Sequence, residues 1–271
     1  MNICMMSLMM SDIVGRGYPI KEILSVASAC GMGAIDWIGL HHTTSRELKA
    51  ASDAAGIPVA AHTMLKEGFI NDNPNYLDEF KSSLEDAVIM EAKVLMLPPF
   101  ARKNQTSMAD DRSRYLDYFG QALELAQAAG VTLTLESTGF THSPITTADE
   151  CLELLRQLPG LKLTFDQGNV ATADDPCEAF LKLREYVVHF HVKDWHVSTT
   201  PKAGYTLKRN NLYFKDALMG QGDMPIKDFW SLTNERERSL WVNPESCDFT
   251  DQRPPLEVFK EICAEMRSWE E

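Results

Sequence analysis

Four side chains suited to a hard or borderline divalent cation fall where four successive short apolar runs end. They are Glu136 in VTLTLES, Asp166 in LKLTFDQGN, His191 in VVHFHVKD and Glu245 in LWVNPES. Taken singly, an acid after such a run is more simply a helix cap or a solvated charge. Recurrence at four consecutive run ends argues for a site, because three carboxylates and an imidazole brought together repel one another unless a cation sits among them. The donor set is oxygen-rich, with one nitrogen and no thiolate. That points to Mn²⁺ first, with Mg²⁺, Co²⁺ or Zn²⁺ as alternatives, and away from Cu(I) or an iron–sulfur cluster.

A cation held this way polarises a carbonyl oxygen and makes the adjacent C–H acidic. The charge left on deprotonation spreads over two oxygens of a cis-enediolate, which one metal chelates. A carboxylate on one face takes the proton and a carboxylic acid on the other returns one, inverting that carbon. Return to the neighbouring carbon interconverts aldose and ketose, and loss of a β-hydroxyl dehydrates. The substrate expected is therefore a small polyhydroxylated carbonyl compound. Around it, His62 in VAAHTML offers an imidazole to a hydroxyl, Lys193 a cation to the enediolate, and Trp37 and Phe140 apolar faces to a sugar. Each has a plainer alternative: a core histidine, a Lys193–Asp194 pair, core aromatics. Asp36 and His41 are weaker candidates.

Gathering residues so distant in sequence calls for a (β/α)₈ barrel, whose strand C-termini ring one axis. Short apolar runs near 2–7, 33–38, 58–62, 93–97, 131–136, 161–166, 187–192 and 239–244 read as the eight strands. Between them, Thr44 with Glu47 and Thr147 with Glu150 fit capping boxes, and Pro19, Pro74 and Pro225 suit first turns. Gly31, Gly56 and Gly130 fall where helices must stop and turn back. No GxGxxG or GxxxxGK[ST] follows a strand, so a nucleotide-binding doubly wound sheet is disfavoured. The expectation is one barrel domain over residues 1–271. A loop of about thirty residues, Lys193 to Met224, is long enough for a lid or a subunit contact. Its Lys202, Lys208 and Arg209 read most simply as a solvated face, and Gly220 and Gly222 in MGQGD as a sharp turn near the rim.

Composition agrees with such a chain: 271 residues, 44% hydrophobic and 24% charged. A formal net charge of -13 without a dense basic block argues against nucleic acid. The apolar N-terminus MNICMMSLMMSDIV has no basic leader and no run reaches membrane-spanning length, so it reads as the first strand of a cytoplasmic protein with no membrane partner. Six cysteines without CxxC spacing read as reduced, buried thiols, Cys247 being the one nearest the site in sequence.

The words TLES, FDQGN, HFHVKD, GQGDMPIKDFW and the glutamate after the eighth run resemble the sugar phosphate isomerase/epimerase superfamily of xylose-isomerase-like barrels, over nearly the whole chain. The resemblance implies that Glu136, Asp166, His191 and Glu245 hold the metal and that Glu136 and Glu245 also move protons. It selects His191 over His189, which strand alternation places one layer deeper. It further implies a sugar or sugar phosphate as partner and a homodimer or homotetramer. Two positions depart from tagatose-type epimerases. Asn169 stands where they carry a histidine, and is placed with the substrate-binding candidates; Val197 stands where they carry an arginine. Other readings on related scaffolds are a dehydratase of an inosose-like or dehydroshikimate-like substrate, a non-catalytic sugar-binding protein, and an endonuclease IV-like repair enzyme. The last needs more histidines at strand ends than this chain has.

Overall fold

The computed structural model describes residues 1–10, 19–66, 68–245 and 253–270. The chain opens with β1 (Asn2–Met6), α1 (Ile20–Ala29), β2 (Ala34–Ile38), α2 (Ser45–Ala55), β3 (Val59–Thr63) and α3 (Tyr76–Met90). It continues through β4 (Val94–Leu97), α4 (Met108–Ala128), β5 (Thr132–Glu136), α5 (Ala148–Leu155), β6 (Lys162–Asp166), α6 (Gln167–Val170) and α7 (Pro176–Leu183). Then follow β7 (Val187–Val192), β8 (Asp194–Ser198), β9 (Thr206–Leu207), β10 (Tyr213–Ala217), α8 (Ile226–Ser231), α9 (Glu235–Arg238), β11 (Trp241–Pro244) and α10 (Pro255–Ser268).

Strands β1 to β7 pair in chain order and β11 closes the ring between β7 and β1. All the pairings are parallel. The expected barrel is the observed one, with strand bounds within about two residues of those read from the sequence. Runs such as AIDWI and VAAHT are buried along their whole length, because one face packs on the barrel axis and the other on the helices. The outward face is aromatic where it meets the helices: Phe165 and Phe190 pack with Phe180 of α7 and Phe229 of α8.

Both expected capping boxes form, at Thr44–Glu47 on α2 and Thr147–Glu150 on α5. Gly31, Gly56 and Gly130 have φ of 66°, 67° and 70°, the left-handed turn that stops a helix. The prolines sit slightly earlier than expected. Pro19 and Pro225 are N-caps and Pro74 precedes the N-cap Asn75.

Lys193 to Met224 is not the open loop that its length suggests. Strands β8, β10 and β9 form an antiparallel sheet in that order. The runs DWHVS and YFKDA are short and carry charges, so their alternation is faint in sequence. Arg209 is not a solvated residue: its guanidinium forks onto both Glu150 oxygens, at 2.9 and 2.8 Å. Lys208 is buried and donates to Gly139 O at 2.8 Å. These contacts tie the sheet to the start of α5 and the end of β5. Among the described residues no helix is long and apolar enough to cross a membrane. Cys4, Cys30, Cys151 and Cys263 are buried free thiols and Cys177 is half-buried; Cys247 lies outside the described residues.

Candidate metal and substrate site

Strand alternation decides which side chains reach the axis. On β2 the inward residue is Asp36, which accepts from Thr63 of β3 and from Asn243 of β11. On β5 and β6 the inward Thr134 and Thr164 bond each other at 2.9 Å, and Glu136 and Asp166 stand one step above them. On β7 the inward set is His189, His191 and then Lys193. Register completes the convergence: Asp166 pairs directly with His191, and Asn243 with His191 across the next strand. The Glu245 amide donates to Val192 O, fixing the last acid at the same level.

One ligand atom from each of Glu136, Asp166, His191 and Glu245 lies within 4.8 Å of all the others. That is the span two bonds of about 2.0–2.6 Å from one divalent ion would cover. His191 Nδ1 is 2.6 Å from Glu136 Oε1 and 3.7 Å from Glu245 Oε2. Asp166 Oδ1 accepts from the Asn169 amide at 2.8 Å, while the buried Oδ2 makes no hydrogen bond. The Lys193 ammonium is 3.1 Å from that oxygen, an ion pair without hydrogen-bond geometry, and 2.7 Å from Glu245 Oε1.

Charge is short in this cluster. Burial pushes Asp166 well above the usual carboxylate range, with Glu245 and Glu136 adding to the push against Lys193. Burial raises Glu136 also, His191 opposing it. Burial works against ionised Glu245 too, but Lys193 and His191 outweigh it and hold its carboxyl low. His191 rises well above its ordinary value despite burial, drawn up by Glu136 and Asp36. Acids driven toward protonation around an orphaned Oδ2 are a donor set that a divalent cation fits.

Beneath the cluster lies a polar layer that sequence reasoning under-read. His191 Nε2 faces Asp36 Oδ2 at 3.5 Å and Asn243 Nδ2 at 3.1 Å, and Asn243 donates to Asp36 at 2.8 Å. Asp36 was legible only as a weaker candidate and Asn243 not at all; the signal for both was their parity with Thr63 and Glu245. His189, one layer further down, is 5.6 Å from the His191 ring, and burial pushes it down to about 4.

The cavity above the cluster holds about 470 Å³ and is lined by Glu136, Asn169, Lys193 and Glu245, and by Phe140 at its lip. Asn169 donates to Ser137 O and accepts from Lys193 Nζ at 3.1 Å, which fixes the ammonium in place. Lys193 does not pair with Asp194. That carboxylate accepts the backbone N–H groups of Trp195, Gly220, Gly222 and Met224 and so ties down the GQGD turn. Phe140 is 59% exposed, with Phe100 edge-on at 5.8 Å and the Lys208 ammonium 5.7 Å above its ring.

Two expected substrate contacts are corrected. Trp37 points outward, donating from Nε1 to Ser52 of α2 at 3.1 Å. His62 is buried with Nδ1 2.8 Å from Trp37 O, and does not line the cavity. Both stand one residue off the inward parity of their strands, set by Asp36 and Thr63.

The sequence model of the family described as Xylose isomerase-like TIM barrel matches residues 24–269. Solved structures similar in fold include the 3-keto-D-glucoside 4-epimerase YcjR of E. coli, with 16% identity, 99% of each chain covered and a TM-score of 0.74. The probable 3-DHS dehydratase AsbF of Bacillus anthracis has 18% identity over 98% of this chain and 99% of that one, with a TM-score of 0.73. The IOLI protein, solved with a zinc atom bound, has 16% identity over 100% and 96% of the two chains, with a TM-score of 0.74. At these identities the likeness is one of fold. No curated protein sequence matches the chain.

Proposed function

The chain belongs to the xylose isomerase-like TIM barrel family, and from that premise we propose that it is a divalent-metal-dependent isomerase or epimerase of a sugar or sugar phosphate. The convergence of Glu136, Asp166, His191 and Glu245 on one point carries the reading. These four would hold the ion, Mn²⁺ first, and the ion when bound would lower the pKa of the C–H beside the substrate carbonyl. Glu136 and Glu245 approach the cavity from different strands, so one takes the proton as a carboxylate and the other returns one as an acid. Which face each serves follows from how the sugar lies. Lys193, buried and already drawn to negative charge, steadies the enediolate, and Asn169 holds Lys193 in place. Phe140 packs on the apolar face of the sugar. The β8–β10 sheet walls off one side of the cavity and excludes water there.

The partner is a small molecule, with neither nucleic acid nor membrane, and the expected setting is a cytoplasmic homodimer or homotetramer. Solvent proton exchange tests the reading. Manganese-loaded protein in D₂O should place deuterium beside the carbonyl of at least one member of a panel of free and substituted ketoses. Stoichiometric manganese without exchange from any of them would overturn it.

A second reading is dehydration through the same enediolate. The Lys193 ammonium beside Glu245 favours it, since a cationic donor there can assist departure of a β-hydroxyl. A product lighter by one water distinguishes the two.

A further inference from the structure

The cavity is not polar all round, and its asymmetry speaks to the substrate. Its acidic and cationic groups come from the ends of β5, β7 and β11 and from the β8–β10 sheet, which adds Lys208, Lys215 and Asp216, and the helical turn after β6 adds the Asn169 amide. The ends of β1 to β4 give the opposite half. There the wall is Met6, Ile38, Leu65, Met96, Pro98 and Phe100. Among the described lining residues the one polar side chain of that half is Thr63, and its hydroxyl donates to Asp36 at 3.3 Å.

We infer that the substrate is a glycoside that carries a ring ketone: its ketone and hydroxyls meet the acid cluster, and it is joined to an apolar, aryl-sized aglycone that lies against the ends of β1 to β4. This rests on the sugar-enzyme reading above and narrows it. A free hexose carries hydroxyls on every edge, and those turned toward the Met–Phe wall would lose water without finding partners there. An aryl group has no such groups to strand. Space agrees, since about 470 Å³ falls in the range of pockets for drug-sized ligands rather than matching one sugar ring. Methionine side chains conform to varied ring shapes, which suits a wall that accepts a family of aglycones. The wall also runs outward, because Phe100 continues edge-on into the half-exposed Phe140, so a larger aglycone can extend to the lip.

The test is a calorimetric titration of the manganese-loaded protein with D-glucose and with methyl, phenyl and 4-nitrophenyl D-glucopyranosides, each glycoside as both anomers, as ketone-free probes of the apolar wall. Phenyl and nitrophenyl glycosides of one anomer should bind about 10- to 100-fold more tightly than the methyl glycoside. Phe100→Ala and Met96→Gln should each remove most of that gain while manganese affinity stays unchanged, which shows the barrel intact. Equal affinity along the series, or tightest binding by free glucose, would overturn the glycoside inference and leave the sugar-enzyme reading standing. Binding by no member of the series would also overturn the glycoside inference, whereas the sugar-enzyme reading falls only if proton exchange from the ketose panel fails.

Discussion

The Lys193 ammonium lies 2.7 Å from Glu245 Oε1 and reaches Asp166 as well, so a fixed cation of the chain shares two of the three acids that, with His191, would hold a metal. Like charges compete for the same carboxylates. Lys193→Ala should therefore tighten manganese binding by about tenfold or more while lowering turnover by about 10²–10³-fold. Calorimetry and proton exchange read the two effects separately. Weaker metal binding in the variant would show that Lys193 organises the acids instead of competing for them.

Asp36 reaches the four-residue cluster through His191 and touches the cavity wall through Thr63. Its carboxylate and the Asn243 amide face the ring nitrogen turned away from the acid cluster. Such partners fix ring orientation and tautomer. Asp36→Ala should cost about 10- to 100-fold in manganese affinity with the circular dichroism spectrum unchanged. Wild-type affinity in this variant would remove Asp36 from the account.

Glu150 links the β8–β10 sheet to the barrel through Arg209, and also caps α5. Glu150→Gln keeps a side chain competent for the capping box but loses the ionic fork. The expected result is faster hydrogen exchange in residues 204–213 and a raised KM, with Tm lowered by only a few degrees. Unchanged exchange there would show that the contacts of Lys208, Leu207 and Asn210 suffice to anchor the sheet.

His41 gives a pH signature away from the acid cluster. Burial, with His42 and His62 adding, pushes it down to about 4, and its Nε2 is 2.8 Å from Ser7 Oγ. Between pH 4 and about 6.5 the unfolded chain binds a proton here that the folded chain refuses, so stability rises with pH across that window. Acidification from pH 7 to pH 4 should cost on the order of 2–3 kcal/mol from this group. His41→Asn should flatten that part of the denaturation profile, and an equally steep profile would assign the effect elsewhere.

How much of this was legible in the sequence depends on the kind of signal. Strands such as VLML and TLTLE are short, apolar and set off by Gly and capping residues, so the barrel and the level of Glu136 and Asp166 could be read directly. Side-chain direction was harder. Trp37 and His62 sit at strand ends as the chemistry wants, yet one residue of parity turns both toward the helices. Asn243, by contrast, looks unremarkable in LWVNPES until pairing puts it beside His191. The β8–β10 sheet was hidden because its strands are brief and its anchoring contacts, with Gly139 and Glu150, are distant in sequence.

The central claim is that Glu136, Asp166, His191 and Glu245 hold one divalent ion. An anomalous-difference map of crystals soaked in manganese tests it most directly. A single strong peak is expected within about 2.0–2.6 Å of one donor atom from each of the four. A map with no peak among them, or with manganese held elsewhere while these side chains stand apart, would contradict it.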